Sequence, residues 1–226
     1  MPPPKVMTDK LTSLPGSLRH LVRIAAAIAG AGEETTRIVM EEAVGSADTT
    51  AVDEVILQSY LFAGFPRTLN AARTWRAVSG TQAPKSDSAA SMSNGTLWEQ
   101  RGEQMCEIVY GDSYNLLREN IQKLHPALDA WMITDGYGKV LSRPQLGLAA
   151  RELCIVAACA ASGQQRQLHS HLHGALNAGV SRERLALAIE SLVGLVSEDQ
   201  LRTCRSLLSH VVSKRHPPKT AMTASQ

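Results

Sequence analysis

Apolar residues recur at three- and four-residue spacing along most of the chain, and the breaks between such runs predict a series of helices. From Leu18, SLRHLVRIAAAIAG is mostly Ala, Ile, Leu and Val, with Gly30 and Gly32 as its stop. Residues Glu33 to Val44 predict a second helix, ending near Gly45. Asp48, Thr49 and Thr50 offer N-caps for a third, AVDEVILQSYLF, with acids in its first turn as the helix dipole prefers. Gly64 breaks that pattern, and Pro66 suits the first turn of a fourth helix, PRTLNAARTWRAV. Ser79 to Gly95 is small, polar and Pro/Gly-containing, and reads as a linker. Two further helical runs, TLWEQRGEQMCEIVYG and DSYNLLRENIQKLHP, follow it. A short helix and a Gly-rich turn, DGYGK, come next. Arg151 to Val180 reads as helix, glycine break, helix and stop. Ser181 caps SRERLALAIESLVGLV, and Ser197 with Gln200 forms a capping-box pattern for EDQLRTCRSLLSHVV.

Composition supports an all-α chain. Of 226 residues 44% are apolar but only 4% aromatic, and Ala and Leu, which lose little side-chain entropy in a helix, are abundant. The net charge of +2 gives no basic face for nucleic acid. No apolar run reaches the roughly 18 residues needed to span a bilayer, and MPPPKVMTDK lacks the apolar core of a signal peptide. Cys106, Cys154, Cys159 and Cys204 are scattered, mostly in apolar helical contexts, and read as reduced, buried thiols. The expected location is therefore the cytoplasm.

Laying Arg19 on Arg151 aligns two segments without a gap: Ala43 meets Ala175 and Thr49 meets Ser181. Caps and apolar positions agree over three helices, which predicts a duplicated helical unit. The resulting organisation is an N-terminal arm over 1–16, a first helical unit over 17–78, a linker over 79–95, a second unit over 96–212 and a tail over 213–226. The copies differ in chemistry. His20 stands where the second copy has Glu152, and Val39 where it has His171. Polar candidates thus gather in the second copy, and the GFP corner is found only in the first.

RQLHSHLHGALNAG carries His169, His171 and His173. On a helix His169 and His173 share a face as i and i+4, while His171 points elsewhere. The three do not converge as a ligand set, so no metal is assigned.

GYGKVLSRPQLGLAARELCIVAACAASGQQRQLHSHLHGALNAGVS closely resembles the core of the carboxymuconolactone decarboxylase family, within the alkylhydroperoxidase D-like superfamily. YLFAGFPRTLNAAR resembles that family's following helix pair. The resemblance implies an all-α, alkylhydroperoxidase D-like helical bundle, here with two units in one chain, and assembly as a homo-oligomer. It also implies a choice between two chemistries. Peroxidase members resemble a pattern of Glu, Cys-x-x-Cys and His, which from Glu152 places the cysteines on Gln164 and Gln167 and the histidine on His171. Glutamine is neither a nucleophilic nor a resolving thiol, so that activity is excluded. The decarboxylase branch retains Glu and His without the cysteines. It implies a cofactor-independent enzyme acting on a small acidic, lactone-type substrate, with Glu152 and His171 as the catalytic pair. Gln58 and Tyr60 are candidate substrate contacts from the first half, and His169 and His173 further ones from the second. The alternative is a non-catalytic helical protein that binds a small molecule or partner through the same cavity.

Overall fold

The computed structural model describes residues 13–214, all-α with no β-strand among them. Most of the expected arm and nearly all of the expected tail lie outside the described residues. Helix α1 spans Gly16–Gly30 and α2 Glu33–Ala43. Helix α3 runs Thr49–Ser79 with a kink at Gly64, whose φ of 79° and ψ of 163° are open to glycine alone. The third and fourth expected helices are thus the two arms of α3. Asp48 caps it, accepting from the Ala51 N–H at 2.8 Å. After a stretch with two short 3-10 turns come α4, Gly95–Tyr110, α5, Tyr114–Leu124, and α6, Pro126–Trp131.

Residues Met132–Leu141 continue from α6 as a π-helical segment. The sequence predicts a Gly-rich turn here, and the structure corrects that. Gly136 and Gly138 are not at positive φ. Both sit in a helical turn, and at Gly138 two backbones meet. A Cβ on Gly138 would overlap the Trp98 carbonyl of α4, and one on Gly102 of α4 would overlap the Ile133 carbonyl. Facing glycines let α4 and the π-segment pack main chain to main chain.

Helices α7, Leu148–Ala161, α8, Gln165–Asn177, α9, Arg182–Glu190, and α10, Glu198–Lys214, complete the bundle. Helix α9 stops six residues short of Val196, the last residue of the expected run, since Gly194 takes a positive φ of 82° and the chain turns. The capping box before α10 is formed: the Gln200 side-chain oxygen accepts from the Ser197 N–H at 2.9 Å, and the Ser197 hydroxyl accepts from the Gln200 N–H at 3.2 Å. The starts of α1 and α2, Gly16 and Glu33, are spaced as those of α7 and α8, Leu148 and Gln165, and α3 and α9 keep that interval within one residue.

Helices α1 and α7 lie against each other, close enough that a Cβ on Gly30 would sit 2.5 Å from the Ala161 carbonyl oxygen. One apolar core joins all parts, from Val22 and Ile24 through Trp75 and Leu153 to Leu201 and Val211. No helix of the described residues is long and apolar enough to cross a membrane.

Candidate functional site

Leu153, Ile155 and Val156 commit α7 to the core, and its polar residues Arg151 and Glu152 are carried inside with them, both fully buried. A buried ion needs a partner, and each has one. Arg151 donates to Glu54 Oε2 at 2.7 Å, Gln58 Oε1 at 3.2 Å and the Leu146 carbonyl at 2.9 Å. Glu54 is shared with Arg143 at 2.8 Å, which also pairs with Asp87 at 2.9 Å. This network ties α3 to α7 and the segment before it.

Glu152 faces α8. Its Oε2 lies 2.9 Å from Nδ1 of His171, and its Oε1 has no hydrogen-bond partner. The pair is held by the absence of a side chain at Gly174, one turn along α8, where a Cβ would come within 2.7 Å of Oε2. With Glu152 ionised, Nδ1–H donates to it, which orients the ring and leaves Nε2 as the second nitrogen. His171 is 6% exposed, packs edge-on against the Phe62 ring at 5.8 Å, and lines a cavity of about 1080 Å³.

The cavity lies between the two sequence halves. Ile56, Leu61, Phe62, Phe65 and Leu69 of α3 line it from the first, and α8 with the π-segment from the second. Tyr110 and Tyr137 also line it, hydrogen-bonded to each other. Burial pushes the Tyr110 phenol up to about 12 and, with the nearby Tyr110 and Glu152, holds Tyr137 well above the usual tyrosine range. Both are neutral at ordinary pH, Tyr137 donating to the Tyr110 oxygen.

The structure brings together some of the sequence candidates and separates others. Glu152 and His171 are in contact, and Tyr60 lines the cavity with its hydroxyl pushed up by burial and by Asp135. Gln58 does not line it. Its side-chain oxygen accepts from Arg151, and its amide points at the Arg151 carbonyl at 3.4 Å. The expectation of a substrate contact is corrected there, because a buried arginine has claimed the amide. His169 and His173 stack edge-to-face 5.0 Å apart on another face of α8 and line a separate pocket with Asp112 and Asn120. They do not reach the cavity of His171, as their helical spacing requires. No group of three metal-ligating side chains converges among the described residues. Sequence reasoning missed Phe62, Tyr110, Tyr137 and Arg166. Phe62 carries a usable signal beside the AGFP corner, whereas Arg166 has none until α8 is placed on the cavity.

The four cysteines are free and buried, and burial pushes Cys106, Cys154 and Cys159 up to about 12. Gln167, where a peroxidase-type pattern would have its second cysteine, lines the cavity.

Comparison with known proteins gives two matches. Residues 126–205, from α6 into α10, match the Carboxymuconolactone decarboxylase family. Peroxisomal protein 2 of Schizosaccharomyces pombe is 28% identical over 170 residues, covering 72% of this chain and 79% of the relative.

Proposed function

We propose that the chain, which carries a carboxymuconolactone decarboxylase family domain, is a cofactor-independent, decarboxylase-like enzyme working on a small acidic, lactone-type substrate. The supporting observation is the 2.9 Å contact between a fully buried carboxylate and an imidazole that lines a cavity. In decarboxylation the bond from carbon to the leaving carboxylate breaks, carbon dioxide departs, and the electron pair stays behind as an enolate. His171 is the catalytic residue: its Nε2–H delivers the proton to that carbon and is later reloaded from solvent. Glu152 is the positioning residue, holding Nδ1 and stabilising the imidazolium. Tyr60 and Tyr110 are neutral donors for oxygen charge that develops in the cavity, and Tyr137 supports Tyr110 by donating to its hydroxyl.

The scheme draws on no cofactor. The matching helix intervals of α1–α3 and α7–α9 support duplication of one unit, in which the first copy keeps the wall and the second the acid and histidine. Homo-oligomeric assembly and a cytoplasmic location belong to the same proposal. The relative's name points to the peroxisome as the other address to test.

The test is carbon dioxide release from a panel of muconolactone-type acids. His171→Ala is expected to lower the rate by about 10²–10⁴-fold with the helical content unchanged. Equal rates for the two proteins would remove His171 from the reaction. The apolar character of the cavity favours a second reading, a non-catalytic small-molecule binder. That reading gains if acids bind and none is turned over.

A further inference from the structure

We propose that the ligand of this cavity is a single-headed organic acid: one carboxylate on an apolar body the size of two fused rings or a medium acyl chain. The proposal keeps the roles given above to Glu152 and His171 but departs from the small lactone-type substrate in favour of a larger, more apolar acid; it rests on that reading for the reaction and not for the binding.

Two observations carry it. The first is size and lining. At about 1080 Å³ the cavity is at the upper end of what encloses a drug-sized molecule, far beyond a lone lactone ring. Ile56, Leu61, Phe62, Leu117, Met132 and Leu141 give it broad apolar walls. A small polyacid would leave those walls wet, whereas an apolar body gains roughly 25 cal/mol for each Å² it removes from water.

The second observation is the pairing of charge around the cavity. Arg143 is held by Glu54 and Asp87, and Arg151 behind it by Glu54. Lys139 lies 3.9 Å from Asp135 and over the Trp98 ring. Arg166 lines the cavity as well, and its guanidinium makes no ion pair or hydrogen bond among the described residues. On α8, Arg166 with Ser170 and Gln167 with His171 form adjacent i, i+4 rows, so the guanidinium and the imidazole address one space. One unmatched cation fits one carboxylate, and guanidinium binds carboxylate in bidentate fashion. A second carboxylate would meet apolar wall or acids already paired.

Calorimetric titration of the full chain tests this with four probes: 2-naphthylacetate, its neutral amide 2-naphthylacetamide, naphthalene-2,6-dicarboxylate and muconolactone. Naphthylacetate is expected to bind at least about tenfold more tightly than either muconolactone or the dicarboxylate. Arg166→Gln, at an exposed position, is expected to weaken naphthylacetate about tenfold and leave the amide unchanged, with Arg166→Lys recovering part of the loss. Muconolactone binding as tightly as naphthylacetate overturns the proposal. So does an equal loss of acid and amide in the Arg166→Gln protein. So does failure of every probe to bind, including the case where a second copy of the chain covers the cavity and sedimentation shows a dimer. If wild-type protein binds naphthylacetate with the Arg166 dependence above and turns over no acid, proton transfer fails and the ligand class stands. If His171-dependent carbon dioxide release is seen without naphthylacetate binding, the reverse holds.

Discussion

Glu152 is an acid that the surrounding core would reject if it stood alone. It is tolerated because His171 meets one oxygen and because position 174 has no side chain. Gly174→Ala places a methyl group 2.7 Å from Glu152 Oε2 and equally close to Val109. The carboxylate has to shift away from the imidazole or the helices have to part. We expect a loss of about 1–3 kcal/mol in urea unfolding and a fall in the rate of any His171-dependent reaction. Unchanged stability and rate would show that the pair has more room than the geometry gives. At this scale the sequence was informative where residue type limits the options. A Glu on an apolar helix and a His at the spacing of a known motif were enough to single out the two side chains that touch. Gln58 was misread because an amide next to a functional corner looks the same in sequence whether it faces a ligand or a buried arginine. Only the position of Arg151, fully buried and in need of acceptors, decides between them.

Among the elements, helices were legible wherever apolar spacing, caps and stops agreed, as at α1, α2 and α10. The Gly-rich run DGYGK was not, because glycine has two uses that look alike in sequence. It relieves strain at positive φ, as Gly64 does, and it removes bulk where backbones meet, as Gly138 does. The second use depends on a partner more than thirty residues away. A paired substitution separates the two. Gly138→Ala drives a methyl group into the Trp98 carbonyl and is expected to cost at least about 1–3 kcal/mol. Gly136→Ala, whose nearest non-neighbouring atom is the Trp131 carbonyl oxygen at 3.9 Å, is expected to be nearly neutral. Thermal melts of the two variants check this, and similar losses from both would argue for a turn after all.

The whole molecule is joined across the sequence halves by apolar packing of α1 on α7 and by the buried network of Glu54, Arg143 and Arg151. Arg151→Ala strands the carbonyls of Leu146 and Arg143 and leaves Glu54 with one partner. We expect a loss of about 3–5 kcal/mol, seen as a shift of a single unfolding transition. A first, partial transition in the variant would mean that the halves stand independently. The gapless alignment of Arg19 on Arg151 anticipated the matched helix intervals. It did not anticipate how the halves would face each other, since packing across a core leaves no periodic mark in either strip of sequence.

The cavity takes His171 from α8, with Glu152 of α7 behind it, and a broad wall from α3, which contributes neither the acid nor the imidazole. Under the proposed function, fit and reactivity are therefore written in separate stretches of chain. Substitutions at Ile56, Leu61, Phe65 or Leu69 are expected to resize the chamber with the Glu152–His171 contact kept, so that what enters could be retuned apart from what happens inside.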